Sequence, residues 1–265
     1  MAKIEWDKSG ERQYSTGTKN GILYTMLATP TTKTSYAPGV GWNGLTGVTE
    51  TPSGAEASDQ YADDMKYVSL RGAETFGHTV EAFMAPPEWD ECDGAVSVGD
   101  IARFGQQNRK AFGMAFRSTL GNDKLKNDFG FEIHLIYNST ASPSERAYTT
   151  INESPEPITY SWECTSDPVN AGSATDKPVS NIIVACTVGN GVLKVDESGK
   201  VIFDETNSKG RNAKLLWDVL RGTDPTTGES ATSGTLPTLP DPAKVYEILT
   251  LETAGQVETY AEIAS

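Results

Sequence analysis

Residues 109–165 read RKAFGMAFRSTLGNDKLKNDFGFEIHLIYNSTASPSERAYTTINESPEPITYSWECT, and three runs within them put apolar side chains on alternate positions. The first is Phe112, Met114 and Phe116; the second is Phe129, Phe131, Ile133, Leu135 and Tyr137; the third is Ile158, Tyr160, Trp162 and Cys164. Successive side chains of a strand point to opposite faces, so each run is expected to be a strand with one apolar and one polar face. The intervening polar residues (Arg117, Glu132, His134, Thr159, Ser161, Glu163) then occupy a second face that must meet water, another subunit or a channel.

Working outward, Leu120-Gly121-Asn122-Asp123 carries turn chemistry between the first two runs, and the prolines at 143 and 155 bracket residues 148–151, expected as an edge strand. Upstream, residues 4–14 fit a short charged strand, residues 21–27 a buried one, and residues 66–70 and 78–84 two more. Pro86-Pro87-Glu88-Trp89-Asp90-Glu91-Cys92 suits one helical turn, since proline tolerates a helix start and acids complement its positive end. Downstream, the β-branched run 182–186 and residues 195–203 around Gly199 read as strands. One helical period is clear, in residues 211–222: Ala213, Leu216, Trp217 and Leu220 share a face, Arg221 sits in the last turn and Gly222 follows as a stop. That helix should cover one face of the sheet. Residues 245–251 fit a docked strand or a short helix, and the rest of 223–265 reads as a polar, partly extended arm. The fold class is mainly β, a sandwich or barrel-like single domain over residues 1–265 with one flanking α-helix, a long loop and terminal arms.

The long loop is residues 29–62, where no period is sustained among many Gly, Pro, Thr and Ser. Its Tyr36, Trp42, Leu45 and Tyr61 are more apolar anchors than a disordered linker carries, so it is expected to order against something. Gly39-Val40-Gly41-Trp42-Asn43-Gly44 satisfies G-x-G-x-x-G but opens no helix and lies in no βαβ unit, so dinucleotide binding does not follow from it.

The formal net charge of −14 is unevenly spread. Residues 1–102 hold 15 acids against 7 bases, residues 103–222 hold 14 of each, and residues 223–265 hold 7 acids against Lys244 alone. With no cationic stretch to displace counterions from phosphates, the chain is expected to repel nucleic acid rather than bind it tightly. The N-terminal residues lack the apolar run of a signal peptide and no stretch reaches the length of a membrane span, which suggests a soluble protein made and used in a cytoplasm. Cys92, Cys164 and Cys186 are odd in number and far apart, which suits buried free thiols better than a disulfide framework or a zinc site.

Catalytic patterns are sparse. His78 and His134, the two histidines, have no helical metal spacing, and Asp90-Glu91-x-Asp93 does not reproduce an EF-hand loop. No metal, cofactor or catalytic residue is assigned. The sequons at Asn138 and Asn152 would matter only in a secretory pathway.

Several ordered blocks resemble the major tail (tail tube) proteins of long-tailed, non-contractile bacteriophages. They are Trp6-Asp7-Lys8-Ser9-Gly10-Glu11-Arg12 with Thr16-Gly17-Thr18-Lys19-Asn20-Gly21-Ile22-Leu23-Tyr24, and Gly41-Trp42-Asn43-Gly44-Leu45-Thr46 with Pro52-Ser53-Gly54-Ala55-Glu56. Further on come Arg109-Lys110-Ala111-Phe112-Gly113, Ala141-Ser142-Pro143-Ser144-Glu145-Arg146, Ile158-Thr159-Tyr160-Ser161-Trp162-Glu163 and Leu236-Pro237-Thr238-Leu239-Pro240. The likeness extends over most of the chain.

The resemblance implies a tail tube fold: a virion subunit that forms hexameric rings stacked into a hollow tube, with no catalysis. Its partners would be other copies of itself and the tape measure, tail-initiation and terminator proteins, with DNA passing through unbound and no membrane contact. Residues 29–62 become the expected contact between rings, with Tyr36, Trp42 and Leu45 as anchors. Glu81, Glu132 and Glu163, on polar strand faces, become the expected lumen-facing acids. Two readings from other classes compete. One is a carbohydrate-binding β-sandwich or adhesin that stacks sugars on Trp42 and Trp89; the other is a carboxylate-dependent hydrolase.

Overall fold

The structure, a computed structural model, describes residues 4–54, 56–99, 101–151, 153, 156–224, 234–252 and 256. The Asn152 sequon, most of the polar segment after residue 223 and the closing arm beyond residue 252 (Gln256 excepted) lie outside the described residues.

Among the described residues, fifteen strands and three α-helices follow in chain order. The strands before the first helix are β1 (Gln13–Thr25), β2 (Val40–Trp42), β3 (Leu45–Glu50), β4 (Ser53–Gly54), β5 (Ala57–Ala62), β6 (Met65–Arg71) and β7 (Glu74–Ala82). Next come α1 (Trp89–Cys92), β8 (Val96–Val98), β9 (Ala102–Phe104), β10 (Phe112–Asn122), β11 (Lys126–Ala141), β12 (Tyr160–Ser166), β13 (Asn181–Thr187), β14 (Leu193–Val195) and β15 (Val201–Phe203). The helices α2 (Ser208–Arg221) and α3 (Pro242–Leu249) close the described chain.

The main sheet runs β2-β1-β10-β11-β12-β7-β3, with β13 also pairing β11 and β4 pairing β7, and every pairing is antiparallel. The 16-residue β11 holds it together. Its middle, Gly130–Ile136, pairs β13, and its last three residues pair β12, so the sheet bends and the β12-β7-β3 portion folds over the β1-β10-β11 portion. The two ends of the path, β2 and β3, are consecutive in sequence and joined through Asn43-Gly44, whose Gly44 carbonyl accepts from the Phe83 N–H at 2.9 Å. The result is a barrel-like sandwich.

Alternation then fills both sides. On one face of β1-β10-β11, Ile22, Tyr24, Ala115, Phe131, Ile133, Leu135 and Tyr137 pack under α2 and α3 through Leu216, Leu220, Val245 and Ile248. Tyr24 Oη donates to the Leu220 carbonyl at 2.6 Å and Tyr137 Oη to the Pro240 carbonyl at 3.2 Å, which ties both helical segments to the sheet. On the other face Leu23, Phe112, Met114, Phe116 and Ile136 meet Trp42, Val80, Ala82, Trp89, Trp162 and Cys164. β10 is therefore buried on both sides, and its second face is not the solvent or channel face that the alternation suggested.

Other expectations are also revised. Residues 4–12 are not a strand, 148–151 form none, and the 195–203 strand is a hairpin turning at Gly199, which holds φ +82°. The helix begins three residues earlier than expected, at Ser208, because Asn207 caps it by accepting from the Gly210 N–H at 3.0 Å. Of the strand and the short helix expected over residues 245–251, the helix is what forms: α3 starts a little earlier, where Pro242 takes its first position. The largest change concerns residues 29–62, which contain β2 to β5 rather than a loop. Their period was hidden because β2 and β3 are short and glycine stands at Gly41 and Gly47.

Candidate functional site

Three surfaces stand out from an otherwise packed fold. The first is the edge of the sheet. Among the described residues β13 pairs only β11, and residues 13–20 of β1 pair only β10, since β2 covers just Gly21–Leu23. On β13 the Asn190 side chain donates to the Ala185 carbonyl at 2.7 Å and accepts from the Thr187 N–H at 3.1 Å. Backbone groups of alternate strand residues point the same way, so Ile183 also directs its N–H and C=O away from β11, and Asn190 leaves these uncovered. Ile183 itself is about half exposed.

The second surface is a pair of projecting hairpins. Every residue from Ala57 to Arg71 is exposed, including Tyr61 at 72%, Met65 at 63%, Tyr67 at 75% and Leu70 at 55%. β8-β9 likewise exposes Val96, Val98 and Phe104, with Ile101 between the strands. A two-stranded hairpin alone is marginal in water, so apolar side chains displayed this way call for a cover.

The third surface is the outer face of β12-β7-β3. Trp162, Val80 and Val48 point inward, which turns Glu163, Glu81, Thr79, Thr49, Ser161 and Thr165 outward. Glu163 stands opposite Thr79 and Glu81 opposite Ser161, so the two carboxylates are diagonal neighbours on one polar face. Glu132 does not join them. It points into the space between the layers, at the rim where Ser118, His134 and Glu50 meet. There His134 stacks on Phe116, with ring centroids 4.5 Å apart and an interplanar angle of 1°. Its Nε2 lies 2.8 Å from Ser118 Oγ and 3.7 Å from Glu132 Oε2, and its Nδ1 lies 4.0 Å from Glu50 Oε1. Burial lowers the His134 pKa, while the two carboxylates pull it back up. A Ser-His-Glu order invites a nucleophile reading, but 4.0 Å is beyond a hydrogen bond, so Glu50 does not orient the ring. Among the described residues no group of three or more His, Cys, Asp or Glu side chains is placed to hold a metal.

The expected inter-ring anchors fall elsewhere. Trp42 is 4% exposed, contacts the Trp89 and Trp162 rings at 4.8 and 5.8 Å, and donates from Nε1 to the Met84 carbonyl at 2.9 Å. It orders its segment against its own sheet and is not a surface anchor. Trp89, 1% exposed, is equally removed from the surface, so neither indole can stack on a sugar. Tyr36 is half-buried over the helical core and its hydroxyl accepts from the Asn138 N–H at 2.9 Å; Leu45 packs at the edge of the tryptophan core. Burial raises all three thiols, Cys92, Cys164 and Cys186, to about 12, and none forms a disulfide.

The exposed β5–β6 hairpin leaves only a faint mark in the sequence. Its signal was Asp63-Asp64 between two aromatic-containing runs, a pair suited to a turn needing positive φ at both positions; the structure gives φ 51° and 58°. Compared with known proteins, the chain matches no family model and no curated sequence. No helix among the described residues is long and apolar enough to cross a membrane.

Proposed function

We propose that this chain is a structural subunit of a siphophage tail tube that assembles with copies of itself into hexameric rings, stacked as a tube through which DNA is delivered. The observation that supports it best is the β1-β10-β11-β13 sheet, which presents an uncovered strand on each side. Uncovered edges invite pairing with another chain, and a subunit whose two edges meet those of its neighbours resolves that liability by closing a ring. Stacking of rings is a heterologous contact that does not close, so it propagates. The projecting hairpins supply apolar area for it.

In this reading the Glu81/Glu163 face lines the lumen, where carboxylates repel phosphate and keep a passing duplex from adhering. Glu132 has a local role at the layer rim. The remaining partners are the tape measure, initiation and terminator proteins of the tail. The test is negative-stain electron microscopy across protein concentration and salt, with tubes as the expected outcome. A chain that stays monomeric at high concentration, even beside a tail-initiation complex, would exclude the reading.

A further inference from the structure

A cleft of about 680 Å³ opens between the bulged end of β1, the β2–β3 turn and the last turn of α2. Its size falls within the range of about 300–1,000 Å³ typical of ligand sites. Its charged lining consists of Lys19, Arg117 and Arg221, with no carboxylate among the lining residues, in a chain of net charge −14. Arg221 is tied to Asp218 at 2.7 Å, but Lys19 and Arg117 form no ion pair among the described residues. The Arg117 guanidinium lies 3.3 Å from the Phe131 ring centroid and 4.7 Å from that of Trp217, and its buried Nε has no hydrogen-bond partner among the described residues. Burial lowers the Arg117 pKa to about 10, and the charge of Arg221 pushes in the same direction against an opposing pull from Cys186. Two of the three cations, Lys19 and Arg117, thus lack an anion among the described residues.

The complementary group is on the same chain and out of its own reach. At the tip of the β5–β6 hairpin, Asp63 and Asp64 are both exposed and neither has a cation partner among the described residues, whereas Asp59 behind them is paired to Lys66 at 2.7 Å. We propose that the cleft is the docking site for the Asp63-Asp64 tip of a second copy of this chain. The inference rests on the chain being a self-assembling subunit. Carboxylates at the tip would offset the charges of Lys19 and Arg117 and separate the two guanidinium groups that line the cleft, while the hairpin stem would lay Tyr61 and Tyr67 against the neighbour.

The test uses the buried, unreactive native thiols as a silent background. One full-length chain carries Met65→Cys beside the tip; another, lengthened by a tag to shift its mobility, carries Asn43→Cys on the cleft wall. Mixed and oxidised, they should give the mixed dimer well in excess of either homodimer. Asp63→Lys with Asp64→Lys on the first chain should cut that yield at least about tenfold, the loss expected for about 1.4 kcal/mol. Lys19→Glu with Arg221→Glu on the second chain should restore it. A mixed dimer no commoner than the homodimers, or one indifferent to tip reversal, overturns the docking. So does a cross-link lost to inorganic tripolyphosphate but insensitive to the tip, because the cleft would then be a site for free anions. Electron microscopy of the same mixtures separates the two readings: tubes without the charge-dependent cross-link refute the docking alone, and the cross-link without tubes retains it while counting against the tube.

Discussion

His78 shows at the scale of one residue how far burial alone sets chemistry here. It is 1% exposed, between Phe76 and Phe112, and neither ring nitrogen has a hydrogen-bond partner among the described residues. Burial lowers its pKa from 6.5 to about 4, so the folded chain keeps it neutral. Between those values the unfolded chain binds the extra proton. Stability from this group is therefore complete above about pH 6.5 and is lost as pH falls toward 4, by about 3 kcal/mol in all. His78→Leu should flatten the pH dependence of urea unfolding over that interval and raise stability near pH 5; an unchanged slope would show that the imidazole is wet. The thiols make a second residue-scale case. With pKa values near 12 and full burial, Cys92, Cys164 and Cys186 should react with a maleimide only as fast as the protein unfolds, and fast labelling in native buffer would contradict their placement.

Elements carry the next two expectations. The N-terminus of α2 sits so close to the turn after β15 that a Cβ on Gly210 would lie on the Asp204 carbonyl. Gly210→Ala should cost about 2 kcal/mol or more, read as a lower urea midpoint at constant slope, because backbone there cannot yield as a side-chain tip does. Edge strand β13 makes the opposite point. The Ile183 N–H points away from β11, so Ile183→Pro removes no internal ladder bond and should leave the monomer folded, while denying a neighbour its donor and preventing tubes. Val184→Pro, whose N–H faces β11, should unfold the strand. If Ile183→Pro still forms tubes, β13 is not the pairing edge.

The strands were legible in proportion to the regularity of their burial. β11 and β12 have one clean apolar face and announced themselves, as did the capped, amphipathic α2. Residues 40–54 did not, because a three-residue strand and a glycine-broken one leave too few positions for a period to appear. Trp42 orders its segment against its own sheet rather than a neighbouring subunit, and sequence alone does not distinguish an indole that packs on its own sheet from one that packs on a neighbour. The Glu81/Glu163 face followed from alternation. The Lys19, Arg117 and Arg221 cleft did not, since its members come from three elements far apart in sequence and meet only once α2 lies on the sheet.

For the molecule as a whole, two electrostatic effects oppose each other. Subunits of net charge −14 repel, and screening should relieve that repulsion; contacts between carboxylates and a basic cleft should weaken as the Debye length shrinks from about 10 Å at 0.1 M to about 3 Å at 1 M salt. Assembly is thus expected to peak at intermediate ionic strength, a dependence light scattering can follow; a monotonic rise to 1 M would mean that apolar contact alone holds the copies together. The most direct trial of the central claim is negative-stain electron microscopy of the purified chain at that peak. Six-fold rings, or tubes built from them, with an open centre are expected. Dispersed single subunits under every concentration and salt, with a tail-initiation complex present, would contradict it.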